Sequence, residues 1–281
     1  MAATVEDWKA AGLLYEVEAG VAWLRLNRPE KRNALDRPLR SALLEAIHEV
    51  SEDNAVKVAV IAANGPAFSS GADLTQPGGA IEIPPERRPP GPNLARSDAV
   101  LYGWYRLMEA IWHSETPFIA AVNGMAAGGG CQLALACDLI IASEEAAFWE
   151  VFVRRGLPLE GGGAWILPRL VSLVRAKEFA LFGEPLPAKR AEEWGLINRC
   201  VPAADLEPTV REWAHKLATL APPGGGPTMS GREGAPRPDL SARAGHIKSQ
   251  LNQSLEATMY QTFRDEATLL ALMPVQPPPP S

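Results

Sequence analysis

Histidine and cysteine are scarce in this chain of 281 residues, which has 4 and 3 of them. Cys131, Cys137 and Cys200 are an odd set and cannot make a paired disulfide framework. Cys131 and Cys137 stand six positions apart on a presumed helix, so they project in different directions and make a poor metal pair. They read as small buried thiols in a reducing compartment. His48, His113, His215 and His246 are scattered, with no H-E-x-x-H or comparable ligand spacing, and no metal is expected. Basic residues are outnumbered, 27 Lys and Arg against 33 Asp and Glu, and the net charge of −6 argues against a nucleic-acid partner. No apolar run approaches the roughly 20 residues of a membrane span. The first residues, M-A-A-T-V-E-D-W-K, carry acids early and lack an apolar signal core. A cytoplasmic protein with no membrane partner is expected.

What the chain does contain is concentrated between Thr116 and Asp138, T-P-F-I-A-A-V-N-G-M-A-A-G-G-G-C-Q-L-A-L-A-C-D. Phe118 to Val122 is short, apolar and follows Pro117, which suits a fully buried strand. Gly128, Gly129 and Gly130 let a ligand approach the backbone closely. The helix that opens there points free N–H groups at that ligand, a setting suited to negative charge on oxygen. No Lys follows Gly130 to complete a phosphate loop, and the G-x-G-x-x-G dinucleotide pattern is absent. Upstream, Phe68-Ser69-Ser70-Gly71-Ala72-Asp73-Leu74 follows the apolar strand Val56–Ala63. Two strand-ending turns with exposed amides can converge on one oxygen, as the two halves of an oxyanion hole.

These stretches resemble the crotonase superfamily, the enoyl-CoA hydratases and isomerases. The resemblance is carried by N-R-P-E-K-R-N-A-L (Asn27–Leu35), F-S-S-G-A-D-L (Phe68–Leu74), I-A-A-V-N-G-M-A-A-G-G-G-C (Ile119–Cys131), C-D-L-I-I-A (Cys137–Ala142) and the segment Gly183–Pro202. It implies an α/β fold, a spiral of ββα units with a C-terminal helical trimerisation subdomain. It implies that the backbone N–H groups of Ala72 and Gly129 bind an acyl-CoA thioester oxygen. CoA then enters as part of the substrate, with no separate cofactor, and the chain is expected as a homotrimer or hexamer.

Along the chain, Tyr15–Leu26 reads as a strand, and Arg37–Ser51 carries Leu39, Leu43, Leu44, Ile47 and Val50 at helical spacing. Residues 1–202 are expected as the acyl-CoA-binding core and 203–281 as the helical subdomain. Thr75–Arg96 is a proline-rich insertion that serves either as a surface loop or as a lid over the acyl pocket. A second insertion, 222–243, is rich in Gly, Pro and Arg and reads as disordered. Gly245–Leu272 reads as a helix with Ile247, Leu251, Leu255 and Met259 four apart, before a polyproline tail that cannot continue it.

The carboxylates decide the chemistry. The resemblance places a hydratase's two glutamates at Gln132 and Phe152, and neither an amide nor a phenyl ring takes a proton from water near neutral pH. Gln132 either orients a substrate group or is a tolerated helix residue, and Phe152 most simply lines an apolar pocket. Glu160, between Leu157-Pro158-Leu159 and Gly161–Gly163, is in a setting where desolvation makes a carboxylate a better base. The segment resembles the isomerase branch, whose acid at this position moves the proton. Glu150 is the weaker candidate, on the strand face opposite Trp149 and Val151. Ser70, Asp73 and Leu74 complete the pocket candidates. The sequence therefore points to isomerisation of an enoyl-CoA by a single Glu base. A hydratase or dehydratase, another enolate-type hydrolase, and a non-catalytic acyl-CoA-binding protein remain the alternatives.

Overall fold

The computed structural model describes residues 4–75, 104–219, 241–254 and 261. The chain opens with α1 (Val5–Ala10), capped by Thr4 and Asp7, and a hairpin of β1 (Leu13–Glu18) and β2 (Val21–Leu26). The stretch expected as one strand is thus two, because Ala19 and Gly20 both take positive φ and reverse the chain. Helix α2 (Arg37–Glu52) starts on the Asp36 side chain, which accepts from Leu39 N, and buries Leu39, Leu43, Ile47 and Val50.

The remaining strands alternate between two sheets. β3 (Val58–Ala63), β5 (Phe118–Val122), β7 (Leu139–Ser143) and β10 (Arg199–Val201) extend the hairpin into a six-stranded sheet of order β1-β2-β3-β5-β7-β10, parallel from β2 onward. β4 (Ala67–Ser69), β6 (Met125–Ala127), β8 (Ala147–Trp149) and β9 (Leu186–Pro187) form a second sheet in the order β4-β6-β8-β9. From β3 to β8 each passage of chain therefore leaves one strand in the large sheet and the next in the small one, before β9 joins the small sheet and β10 the large. This is the crotonase spiral, an α/β architecture.

Both faces of the large sheet are covered, which explains its nearly continuous apolar strands. Leu24, Ile61, Phe118 and Ala120 enter the main core, while Trp23, Val60, Ile119 and Ile141 enter a second cluster. That second cluster is closed by Leu206, Val210 and Ala214 of a late helix, Leu206–Ala218. Cys131 and Cys137 are buried thiols and Cys200 is half-buried.

Five further helices frame the site: α3 (Arg106–His113), α4 (Gly129–Leu135), α5 (Gly163–Leu170), α6 (Leu173–Phe182) and α7 (Ala188–Glu193). The late helix Leu206–Ala218 is α8, and the C-terminal helix Ser241–Ser254 is α9. Of the four apolar positions read at helical spacing, Ile247 and Leu251 are 56% and 64% exposed on α9, and Leu255 and Met259 lie outside the described residues. Two polar side chains dock α9: Lys248, whose Nζ reaches Asp138 Oδ2 at 2.9 Å, the Ile111 carbonyl at 2.8 Å and the Thr116 carbonyl at 3.2 Å, and Asn252, whose Nδ2 donates to the Trp112 carbonyl at 3.0 Å. The Thr75–Arg96 insertion beyond Thr75, residues 222–240 of the second insertion, and the polyproline tail lie outside the described residues.

Candidate active site

The motif Asn27–Leu35 holds in place the turn that follows β4. Asn33 is fully buried; its Oδ1 accepts from Arg28 N, and its Nδ2 donates to the carbonyls of Asn64 and Ala67. Its own carbonyl accepts from Ser69 Oγ, which in turn accepts from Gly71 N at 3.2 Å. Arg28 adds an ion pair to Asp36 at 2.9 Å and a longer one to Asp73 at 3.5 Å.

The turn is then fixed by an isolated parallel bridge between Leu35 and Ala72. Leu35 N donates to the Gly71 carbonyl at 2.7 Å and its carbonyl accepts from Asp73 N at 3.5 Å. In such a bridge Leu35 spends both backbone groups on Ala72's neighbours, so the N–H of Ala72 is directed away from Leu35. It has no acceptor among the described residues, and the same holds for Gly129 N at the start of α4. Gly71 joins the two halves. At φ +84° its missing Cβ would lie 2.6 Å from the Ala127 carbonyl oxygen and 3.2 Å from Gly129 N. The two free amides therefore belong to turns in van der Waals contact, following the adjacent strands β4 and β6.

Apolar groups surround them. A Cβ on Gly129 would run into the Trp104 ring, and Trp104 in turn stacks under the Arg40 guanidinium at 4.7 Å. On the other side Val151 and Phe152 face Gly128, with contacts of 3.4 and 4.0 Å to the position of its absent Cβ. Beyond Tyr105 and Gly162 opens a cavity of about 490 Å³, walled by apolar Met108, Trp112, Trp165 and Ile166 and by polar Glu109, His113 and Asn252.

The carboxyl groups sort by burial. Glu160 is half-buried in the loop before α5. Leu157 and Leu159 beside it are half-buried and Pro158 is exposed, so the loop is less enclosed than its apolar sequence suggests. The sealed carboxyl is Glu150, with no exposure, and burial pushes it up to about 8. Gln132, also without exposure, donates from Nε2 to both Glu150 oxygens at 2.8 and 3.0 Å. Gln132 thus packs beneath the Glu160 loop, since Cβ atoms on Gly161 and Gly163 would strike it at 2.9 and 2.5 Å. Of the other expected pocket residues, Asp73 is tied to Thr75, whose hydroxyl and N–H hold its carboxyl below the usual range. Ser70 is exposed, and Leu74 is 69% exposed. Trp104 and the Gln132–Glu150 contact were not legible in the sequence, because neither is signalled by local pattern.

Two amides without acceptors among the described residues, on adjacent turns, are placed where both can donate to one negatively charged oxygen. The chain belongs to the enoyl-CoA hydratase/isomerase family, whose profile matches residues 16–223. It is 41% identical to a probable enoyl-CoA hydratase of Rhodobacter capsulatus over 208 residues, 74% of each chain. It is 36% identical to 1,2-epoxyphenylacetyl-CoA isomerase of Escherichia coli, covering 74% of this chain and 76% of that one. Among solved structures, a Thermobifida fusca protein described as an enoyl-CoA hydratase, in complex with CoA, superposes with TM-score 0.78 at 30% identity, covering 96% of both chains.

Proposed function

We propose that this acyl-CoA enzyme moves a double bond within an enoyl-CoA, with Glu160 as its single base. The observation that carries the reading is the inventory of carboxyls at the site. An amide stands at 132 and a ring at 152, Glu150 is sealed from solvent, and Glu160 alone of these four positions offers a carboxyl open to a ligand. The thioester oxygen lies between the N–H groups of Ala72 and Gly129. Glu160 takes a proton from one end of the allyl system, the dienolate charge rests on the thioester oxygen, and the same carboxyl returns the proton at the other end. Each amide contributes about 3–4 kcal/mol to the transition state. The cavity beyond Gly162, with its Met108, Trp112, Trp165 and Ile166 walls, receives the acyl group.

A second reading, hydration, is favoured by the name of the 41% identical relative. One assay separates the two. Matched β,γ- and α,β-enoyl-CoA thioesters are given to the wild-type protein and to Glu160→Gln, and double-bond migration, water addition and thiol release are followed together. Migration abolished in Glu160→Gln, with acyl-CoA binding kept, is the expected result. Water addition by the wild type without migration overturns the isomerase reading. Migration at a normal rate in Glu160→Gln overturns the assignment of the base.

Self-association into trimers or hexamers accords with an uncovered apolar row on α6, where Leu173, Val174, Leu181 and Phe182 are 57%, 75%, 68% and 63% exposed.

A further inference from the structure

Two polar side chains are sealed inside the protein where an apolar pair would fill the same space. Gln132, on the first turn of α4, uses its Nε2 on both oxygens of Glu150. Its Oε1 is then left buried without a donor. No ion pair reaches Glu150 among the described residues, and the groups facing its carboxyl are the Cys131 thiol and the Gln132 amide, both from α4. Burial pushes the Cys131 thiol far up, so it stays neutral. Arg154, four positions along the chain, turns outward to the carbonyls of Phe182 and Gly183 and to Glu184. Buried polar groups left short of partners are rare, and at a site they call for a reason beyond packing.

We infer that Glu150 and Gln132 act as one positioning pair for the Glu160 loop, Glu150 donating its carboxyl proton to Gln132 Oε1 while accepting from Gln132 Nε2. The fork of Nε2 over both carboxyl oxygens suits an ionised carboxylate, and it strands Oε1. A protonated carboxyl supplies the one donor that is lacking, and a rotation of the amide closes an acid–amide ring in which every polar atom is used. With its ionisation raised to about 8, Glu150 carries that proton at neutral pH. The amide cannot turn without consequence, because Gly161 and Gly163 rest on it so closely that neither position has room for a Cβ. These two glycines follow Glu160 directly. The orientation of Gln132 thereby sets the height of the loop that presents the base, and loss of the Glu150 proton disturbs it.

The inference rests on Glu160 as the base, and its test keeps the two apart. Full-length wild type, Glu150→Gln, Glu150→Leu and Glu160→Gln are compared between pH 6 and 10. Double-bond migration is measured alongside deuterium uptake into the substrate from D2O, with circular dichroism confirming the fold. Turnover of the wild type should fall at least about fivefold as pH rises through about 8. Glu150→Gln should stay within about threefold of wild type at neutral pH and lose that fall, because two amides make the same two-point pair at every pH. Glu150→Leu should lose at least about tenfold in kcat with KM within about twofold, since misplacing the base affects the transition state and not the binding of CoA. Should Glu150→Leu fail to fold, Gln132→Met removes the same pair and carries the same expectation. Wild-type turnover in the leucine or methionine variant, or an alkaline fall that persists in Glu150→Gln, overturns the inference. A Glu150→Gln protein as dead as Glu160→Gln also overturns it, by making Glu150 the proton carrier. Normal deuterium uptake by Glu160→Gln instead removes the base assignment on which the inference stands.

Discussion

Replacing Gly71 by alanine puts one methyl group between the two halves of the oxyanion site. The new Cβ would stand 2.6 Å from the Ala127 carbonyl oxygen and 3.2 Å from Gly129 N. To restore ordinary contact at about 3.5 Å, the turn after β4 must retreat from the turn after β6 by roughly 1 Å. Oxyanion donors act at about 2.7–3.1 Å, so a displacement of that size takes one amide out of hydrogen-bonding range. Loss of one donor costs about 10²–10³ in kcat, about 2.7–4 kcal/mol of transition-state stabilisation. The φ of +84° adds backbone strain of about 1–2 kcal/mol in the folded protein. In a chain of this size that lowers Tm by only a few degrees. The assay is steady-state turnover of an enoyl-CoA, with a melting curve and binding of a saturated acyl-CoA on the same sample. Turnover should fall at least about a hundredfold while the protein stays folded and binds the saturated thioester. A folded Gly71→Ala protein with kcat within about threefold of wild type refutes the convergence of the two amides.

Stability should also vary with pH through Glu150. Its folded value of about 8 lies above the ordinary 4.5, so the folded protein holds the proton longer than the unfolded chain, and stability drops as pH rises across that window. The drop amounts to roughly 3–5 kcal/mol. Urea unfolding at pH 5, 6.5 and 8 should show it in the wild type and a much flatter trend in Glu150→Gln, and parallel curves contradict the burial argument. On the surface of α6, Leu181→Asp combined with Phe182→Asp should shift light scattering toward monomer with little change in the circular dichroism spectrum. An unchanged oligomer places the subunit contact elsewhere.

Much of this architecture was legible in the residues, and the misreadings share a physical cause. Phe118–Val122 is a strand with the bounds that its apolar run and the preceding proline suggested. Of the residues from which α2 was read, Leu39, Leu43, Ile47 and Val50 are buried and Leu44 is half-buried. Both are local patterns repeated at the period of one element. Where partners come from distant segments the pattern misleads. Ile247 and Leu251 gave the helical spacing of α9 but are exposed, and the buried side chain between them is Lys248, made tolerable inside by Asp138 and two carbonyls from other elements. The apolar neighbours of Glu160 likewise suggested a desolvated carboxyl. Flanking residues do not tell which side chain is covered, and the sealed acid is Glu150, enclosed by α4. The Ala19–Gly20 reversal was missed because that dipeptide is not among the strong hairpin-turn pairs.

The small sheet acts as a ruler. Strands β4, β6 and β8 lie side by side, and the turns that follow them carry in order Ala72, Gly129, and the segment of Glu150 and Phe152. Successive turns are therefore spaced by backbone hydrogen bonding, at about 4.8 Å per strand, and not by any side chain. The separation of the two amides is thus carried by the pairing of β4 with β6 and does not depend on the side chains that follow β8. Of the positions that bear on proton transfer, Phe152 lies in that segment, whereas Gln132 stands on α4, after β6. A change of side chain at either place leaves the pairing of β4 with β6, and with it the spacing of the two amides, as it was.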